Sequence, residues 1–139
     1  MSHTPQIRGR FAPSPTGPLH LGNARTALLA WLAARTLAGA LVMRIEDLDG
    51  PRVRPGLEDR ILDELRWLGL DWDEGPEEGG PHGPYRQSER SGHYSAALDR
   101  LRTARLVYPC FCSRAEIAQA SQAPHASDEG PRYPGTCRD

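Results

Sequence analysis

A histidine and an asparagine, His20 and Asn23, stand where a proline-rich loop leads into a predicted helix. The loop, PSPTGP at 13–18, contains three prolines, which fix φ and remove amide donors, so it cannot extend either flanking element. Gly17 and Gly22 permit close approach of the backbone to a ligand. Unpaired N–H groups and the positive end of the dipole make a helix N-terminus a site for anions. The segment therefore predicts a binding site for a nucleotide phosphate.

A second pair of residues, Arg10 and Glu46, is suited to an amino-acid substrate. Arg10 lies near the end of the first predicted strand and Glu46 just beyond the second. If the strands are parallel, both residues lie at the same edge of the sheet. A guanidinium binds a carboxylate and a carboxylate binds an ammonium group, so the pair would suit an amino acid with an acidic side chain. Spacing alone favours the alternative, a structural ion pair between the two residues.

Three cysteines, Cys110, Cys112 and Cys137, lie late in the chain. An odd number of clustered cysteines favours a metal site over a disulfide framework. A tetrahedral zinc site needs a fourth ligand, and histidine is by chemistry the best of the nearby donors. Three thiols without a metal are the alternative. The candidates for the fourth ligand are Tyr133, His125 and Asp139.

Two acidic residues, Asp47 and Asp49, follow Glu46 closely. Solvated loop charges, a Mg²⁺ site and helix caps are all compatible with them, and solvated charges are the plainest interpretation. The polar run YRQSER at 85–90 leads into a predicted helix, and we assign it no catalytic role.

The elements that must position these residues begin with a strand–helix–strand unit. Residues 7–12 and 40–45 read as strands, and apolar residues recur at helical spacing over 23–37. Asn23 is the candidate N-cap of this helix, and Gly39 stands just past its end. The apolar residues of the helix are Ala27, Leu28, Trp31, Leu32 and Leu37. Such a unit has parallel strands, and its ligand crevice lies at their carboxyl ends.

Three further helices are predicted. They cover 55–70, 91–106 and 113–122, with a loop rich in Gly, Pro and acidic residues at 71–84. The helix at 55–70 carries Leu57, Ile61, Leu65 and Leu68 on one stripe, and the helix at 91–106 carries Tyr94, Leu98 and Leu101.

Composition sets broad limits on the chain. It has 139 residues, 25% of them charged, and a net charge of −1, so no bulk basic field indicates a nucleic-acid partner. All 17 basic residues are arginines, which suit bidentate recognition of carboxylates and phosphates. No apolar run approaches the length of a membrane span and the N-terminus has no signal-peptide core, so we predict a cytoplasmic protein without a membrane partner.

The run GRFAPSPTGPLHLGN at 9–23 resembles the first signature of class I aminoacyl-tRNA synthetases, in the form used by the glutamate family. The resemblance implies an α/β, Rossmann-like class I synthetase catalytic fold, of which this chain would hold the first half only. It implies two parts: the first half of the catalytic domain at 1–106, and a zinc-binding insertion at 107–139 that starts the acceptor-binding region.

The same resemblance implies the roles of the site residues. His20 and Asn23 would be catalytic; the class pattern usually ends in a second histidine, where this chain has Asn23. The glutamate-binding set would be Arg10, Phe11, Ala12, Pro13, Ser14 and Glu46. The ATP-binding set would be Pro13, Thr16, Gly17, His20, Gly22 and Asn23.

The cysteine segment resembles the zinc-binding insertion of glutamyl-Q tRNA(Asp) synthetases, whose CxC…YxxxC pattern is met by Cys110, Cys112, Tyr133 and Cys137. In related glutamyl-tRNA synthetases a histidine two residues past the last cysteine completes the site, and here that position is Asp139. The resemblance thus favours Tyr133 as fourth ligand. The zinc would be structural and would shape a knob that meets the tRNA acceptor end.

The resemblance implies ATP-dependent activation of L-glutamate, with Mg²⁺ accompanying ATP, and transfer to queuosine in the anticodon loop of tRNA(Asp). The alternative is a glutamyl-tRNA synthetase, which charges the 3′ end of tRNA(Glu). The opening signature, the EDLDGPRVRPG stretch at 46–56 and the YPGTC segment at 133–137 favour the first; the longer stretch at 73–90 favours the second. The complete protein is expected to be a monomer.

The second class I signature, a lysine-containing KMSKS-type loop, has no counterpart in a chain without lysine. We therefore expect an N-terminal fragment or a natural truncation, and no glutamate activation by the isolated 139 residues. Two other classes stay open: another nucleotidyltransferase with an HxGx motif, acting on a different small carboxylic acid, and a non-catalytic, truncated, zinc-bearing tRNA-binding module.

Overall fold

The computed structural model describes residues 7–120 and 135–138. Its strands are β1 (Arg8–Phe11) and β2 (Ala40–Met43). Its α-helices are α1 (Leu21–Arg35), α2 (Leu57–Trp67), α3 (Ser91–Thr103) and α4 (Arg114–Ala120). Two short 3-10 helices cover Gly50–Arg52 and Gln87–Arg90.

The predicted strand–helix–strand unit is present. β1 and β2 are parallel, with Arg10 opposite Val42 and Phe11 opposite Met43. The pairing continues past the strand ends, because the Arg44 N–H donates to the Phe11 carbonyl at 3.0 Å. The carboxyl ends of both strands therefore lie at one edge, as the sequence predicted.

The side of α1 that faces the sheet is formed by small residues. Ala27 and Ala34 are buried, and a Cβ on Gly9 of β1 would lie 3.3 Å from the Ala34 Cβ. Alanine and glycine thus allow the helix to lie close to the strand. Of the apolar residues predicted to recur along this helix, Ala27 is buried and Trp31 packs against the core, whereas Leu28, Leu32 and Leu37 are 44%, 42% and 59% exposed.

The end of α1 also differs in detail from the prediction. A glycine just past the end of a helix commonly adopts the left-handed conformation, which the sequence therefore suggested for Gly39. In the structure Ala38 adopts it instead, with φ of 49°. Gly39 is needed for close approach instead, because a Cβ there would lie 2.5 Å from the Ile7 carbonyl oxygen. Its N–H donates to the Ala34 carbonyl at 2.8 Å and ends the helix.

Helix α2 is shorter than the predicted 55–70 and starts after Gly56, whose φ is 77°. It contributes Ile61, Leu62 and Leu65 to the core, each at most 3% exposed. The remaining core residues include Phe11, Leu41, Met43, Ile45, Leu70 and Trp72.

The predicted loop at 71–84 contributes to the sheet. Within it, Glu74 forms an isolated parallel bridge with Val42; Arg86, just past the loop, forms another with Ile45. Each of these segments pairs at a single residue. Neither therefore has a run of alternating apolar and polar residues long enough to predict a strand. They nevertheless cover the side of β2 that faces away from β1.

The chain divides into two compact units, Met1–Gly92 and His93–Asp139. The predicted division of function, into 1–106 and 107–139, stays a prediction. Helix α3 ends at Thr103, before the expected 106, and α4 spans Arg114–Ala120, while the predicted end at 122 lies outside the described residues. The expected apolar face of α3 is partly exposed: Tyr94, Leu98 and Leu101 are 42%, 40% and 41% accessible. None of the helices described in 7–120 is long and apolar enough to cross a membrane.

Candidate active site

A cavity of about 380 Å³ opens where β1 passes into the proline-rich loop. Its walls combine the end of the strand, the loop and the first turns of α1. Seven of the residues predicted from the sequence line it, together with one that was not: Arg10, Phe11, Ala12, Pro13, Ser14, Thr16, Asn23 and Thr26. Four predicted residues are outside this lining, namely Gly17, His20, Gly22 and Glu46. The strand-to-helix turn thus builds a polar recess at the edge of the sheet.

His20 is the N-cap of α1, which corrects the prediction that Asn23 takes this position. The His20 Nδ1 accepts hydrogen bonds from the backbone N–H groups of Gly22 at 3.1 Å and of Asn23 at 3.4 Å. The helix starts earlier than predicted because the imidazole, with its extended backbone, supplies the cap that an Asn side chain would otherwise supply.

The cap decides which imidazole nitrogen can donate. Since the His20 Nδ1 accepts from the backbone, the proton of the neutral ring is on Nε2. The ring is exposed, so Nε2–H can reach a ligand at the N-terminus of the helix. The predicted anion site combined these side chains with free N–H groups, whereas in the structure the N–H groups of Gly22 and Asn23 are bonded to the imidazole.

Arg10 and Glu46 lie on the same face of the sheet. Arg10 is opposite Val42, and alternation along the extended chain puts Arg44 and Glu46 on the Val42 side. The backbone supports this, because the Glu46 N–H donates to the Pro13 carbonyl at 2.9 Å and so extends the pairing. The face next to the cavity therefore carries both predicted groups.

The ion pair of Glu46 is made with Arg44. The Arg44 Nε donates to the Glu46 Oε1 at 2.7 Å, and an Arg44 Nη2 contacts the same oxygen. Among the described residues no ion pair joins Arg10 to Glu46, so the structural pairing that spacing alone favoured was wrong. The exposed Arg10 borders the cavity instead.

Asp47 acts as a link between two segments. Its Oδ1 accepts from the Ser88 N–H at 2.8 Å and its Oδ2 accepts from the Ser88 hydroxyl. Of the alternatives stated for Asp47, the helix-capping one matches these contacts. Asp49 forms an ion pair with Arg52 at 2.6 Å on the first 3-10 helix. The chain after Glu46 is thus held in place by its own carboxylates.

A buried carboxylate, Glu74, supports the other side of β2. Glu74 is 7% exposed; it forms an ion pair with Arg8 and accepts a hydrogen bond from the Tyr85 hydroxyl at 2.6 Å. Burial would raise the pKa of Glu74, but the hydrogen bonds from Tyr85 and Arg8 outweigh it and lower the pKa below the usual value. Burial, with the bond to Glu74 second, raises the pKa of Tyr85.

The three cysteines come together in the second unit. The sulfurs of Cys110, Cys112 and Cys137 all lie within 4.8 Å of one another, and those of Cys112 and Cys137 are 3.4 Å apart. The hydrogen bond with Cys137, followed by burial and by Cys110, raises the pKa of the Cys112 thiol to about 11. Zn–S bonds of about 2.3 Å in a tetrahedron separate two sulfurs by about 3.8 Å, so these thiols fit a zinc ion. The candidate fourth ligands Tyr133, His125 and Asp139 lie outside the described residues.

Two residues next to the site were missed by the sequence analysis. Thr26 lines the cavity one turn after Gly22, whose carbonyl its hydroxyl bonds at 2.9 Å. The spacing of Thr26 from Asn23, three residues along a helix, could have identified it. Arg44 could have been found from its position two residues before Glu46 in an extended segment, which places both side chains on one face.

Comparison with known proteins gives consistent results. A family model described as tRNA synthetases class I (E and Q), catalytic domain, matches residues 6–139. A glutamyl-Q tRNA(Asp) synthetase of Symbiobacterium thermophilum is 61% identical over 131 residues, which is 94% of this chain and 41% of that protein. A glutamate–tRNA ligase of Anaeromyxobacter sp. (strain K) is 57% identical over 133 residues, or 95% of this chain and 28% of the ligase.

A solved structure shares the fold. The crystal structure of a glutamate tRNA ligase from Elizabethkingia meningosepticum in complex with its amino acid superposes with a TM-score of 0.72. The match has 43% sequence identity and covers 84% of this chain and 23% of that one. The chain thus spans less than half the length of these relatives.

Proposed function

Because the chain belongs to the class I tRNA synthetases of the E and Q type, we propose that it forms part of an enzyme that activates L-glutamate with ATP and transfers it to a tRNA. The observation that carries the proposal is the cavity at the end of β1, which collects most of the residues expected to hold glutamate and ATP. We propose a cytoplasmic location, which is compatible with these substrates.

Glutamate would bind across the face that carries Arg10 and Glu46. Arg10 would bind the side-chain carboxylate and Glu46 the ammonium group, since each offers the opposite charge. Ala12 and Ser14 belong to the cavity wall next to Arg10, together with Phe11 and Pro13. With the side-chain carboxylate and the ammonium group held, the α-carboxylate is left for reaction, so binding and orientation come from the same contacts.

ATP would bind at the N-terminus of α1, along Thr16, Gly17 and Gly22. Attack of the glutamate carboxylate on the α-phosphate forms the acyl phosphate bond, breaks the bond to pyrophosphate and increases negative charge on the phosphate oxygens. The His20 Nε2–H and the Asn23 amide are donors that could face this charge, each contributing roughly 3–4 kcal/mol to transition-state stabilisation. Mg²⁺ that accompanies ATP would neutralise phosphate charge.

For the acceptor we propose queuosine in the anticodon loop of tRNA(Asp). The support is the identity of 61% to a protein named glutamyl-Q tRNA(Asp) synthetase, against 57% to a glutamate–tRNA ligase. The competing acceptor, the 3′ end of tRNA(Glu), has the same activation chemistry and therefore the same requirements on the cavity.

The acceptor is tested with the full-length product of the gene and radiolabelled glutamate. We expect label to pass to tRNA(Asp) that contains queuosine and not to the same tRNA made without it, because only the base differs. Label on tRNA(Glu) instead would assign the protein to 3′-end charging.

We propose that Cys110, Cys112 and Cys137 hold a structural zinc ion, with Tyr133 as fourth ligand. The spacing of the three sulfurs supports the metal, and the YxxxC pattern of the resemblance supports the tyrosine. If all four positions are filled by protein, zinc stabilises the local fold and does not take part in the reaction.

The zinc proposal is tested by metal analysis of variants. We expect Cys112→Ser and Tyr133→Phe to reduce the zinc content after dialysis, whereas His125→Ala retains about one equivalent, as in the wild type. Loss of zinc from His125→Ala alone would move the fourth ligand to the histidine. Wild-type protein that retains no zinc would contradict the metal site.

A further inference from the structure

The ion pair between Arg44 and Glu46 is an interaction next to the cavity to which the resemblance assigns no role. Two nitrogens of Arg44 converge on one oxygen of Glu46, Oε1, with the Nε at 2.7 Å. No hydrogen bond within the described part of the chain is made to the other oxygen, Oε2. The carboxylate is therefore held at one side and available at the other.

The backbone fixes both residues against the neighbouring strand. The Arg44 N–H donates to the Phe11 carbonyl at 3.0 Å and the Glu46 N–H to the Pro13 carbonyl at 2.9 Å. Ile45, between them, is 1% exposed and points into the core. The extended chain thus leaves the two side chains little freedom except on the face that they share with Arg10.

We propose that Arg44 is a positioning residue for substrate: it holds Oε1 of Glu46 so that Oε2 points to the ammonium group of glutamate. The proposal rests on the proposed function, because it needs glutamate as the substrate. A free Glu side chain would lose rotamer entropy on binding the ammonium, whereas one already held by a guanidinium has lost it beforehand. Arg44 also bonds through two nitrogens, which fixes the direction of the carboxylate better than a single donor.

Two other roles for Arg44 would leave different traces. If Arg44 bound a substrate carboxylate directly, every diacid of the size of glutamate would need it. If it only stabilised the fold, an ion pair of similar burial elsewhere in the unit would be equally important. Arg35 offers that comparison: its side chain is 24% exposed against 33% for Arg44, and it pairs with Asp73 at 2.7 Å near the other end of β2.

The experiment measures ATP–pyrophosphate exchange by the full-length product, with Arg44→Met, Arg44→Lys and the control Arg35→Met. We expect Arg44→Met to raise KM for glutamate at least about tenfold while KM for ATP changes less than about twofold. Arg44→Lys should recover part of this loss. Glutarate, which keeps both carboxylates but has no ammonium group, should inhibit the wild type and Arg44→Met with the same inhibition constant.

Arg35→Met should leave KM for glutamate within about twofold of the wild type. The inference is overturned if Arg44→Met leaves KM for glutamate unchanged, if it weakens glutarate as much as glutamate, or if Arg35→Met has the same effect. A wild-type protein without glutamate-dependent exchange would contradict the proposed function and this inference together. Normal wild-type exchange with an insensitive Arg44→Met would contradict this inference alone.

Discussion

At the scale of single residues, His20 has two functions that use different atoms. Its Nδ1 caps α1 through the N–H groups of Gly22 and Asn23, and its Nε2–H is left to face the phosphate in the proposed reaction. The two functions depend on each other, since the capping bond fixes the tautomer and the direction of the ring. Substitutions can separate them.

We expect His20→Asn to keep the free energy of unfolding close to that of the wild type, because asparagine is a good N-cap. His20→Ala should lower it by about 1 kcal/mol through loss of the cap. Both should reduce kcat of ATP–pyrophosphate exchange by about a hundredfold or more, because both remove the Nε2 donor. Urea unfolding and exchange assays on the full-length product measure the two effects, and exchange by His20→Asn close to wild type would contradict the proposed role.

The residues that could be predicted from the sequence are those fixed by local order along the chain. Seven candidate residues from Arg10 to Asn23 line one cavity because they follow one strand-to-helix turn. The cap of α1 could not be chosen in this way. His20 and Asn23 both stand near the start of the helix, and side-chain geometry rather than residue type decides which of them caps it. The partner of Glu46 was missed although Arg44 lies two residues before it on the same face of an extended segment.

At the scale of elements, β2 is held on both sides. β1 pairs with it along one edge; on the other edge Glu74 pairs with Val42 of β2, and Arg86 pairs with Ile45 just beyond the end of β2. Glu74 connects these parts, because it binds Arg8 of β1 and Tyr85 of the last segment. The packing around the strand that leads to Glu46 thus depends on the buried carboxylate of Glu74.

This connection predicts a pH-dependent stability. The pKa of Glu74 is lower in the folded protein than its ordinary 4.5, so its contribution is complete above about pH 4.5 and is lost as the pH falls through the folded value. We expect Glu74→Gln to lower the free energy of unfolding at pH 7 by roughly 1–3 kcal/mol, and the difference from the wild type to shrink as the pH falls below about 4.5.

Urea unfolding of the full-length product at several pH values measures this difference. Glu89→Gln is the control, since the Glu89 side chain is 48% exposed and 3.6 Å from Arg86; it should change stability by less than about 0.5 kcal/mol. A Glu74→Gln effect that stays constant from neutral to acidic pH would show that the carboxylate charge is not what stabilises the protein.

Helices and strands were predictable where the spacing of apolar residues along the chain determines them. The parallel strand–helix–strand unit was confirmed, because two short apolar runs on either side of a helix leave little other choice. The buried face of α1 was predicted only in part: Ala27 belongs to the predicted apolar set and is buried, whereas Leu28 and Leu32 of that set are exposed and the buried Ala34 was not in it. The close approach of Gly9 selects alanine, and that approach is a tertiary contact which spacing along the helix does not contain.

At the scale of the whole molecule, the described residues contain two different kinds of candidate site. The first unit holds the cavity and the Arg44–Glu46 pair, and the second holds the cluster of three thiols. Family membership was predictable from the GRFAPSPTGPLHLGN signature, which residues 6–139 confirm by their match to the class I synthetases. The relatives named above are more than twice as long as this chain. The activity proposed above is accordingly that of the full-length product.

The most direct test of the central claim is the amino-acid dependence of ATP–pyrophosphate exchange by the full-length product. We predict exchange with L-glutamate, and none with L-glutamine or L-aspartate, because Arg10 requires a carboxylate at the distance that glutamate provides. Arg10→Met should abolish the preference for glutamate. Exchange that depends on another amino acid or carboxylic acid, or an absence of exchange with glutamate, would contradict the account.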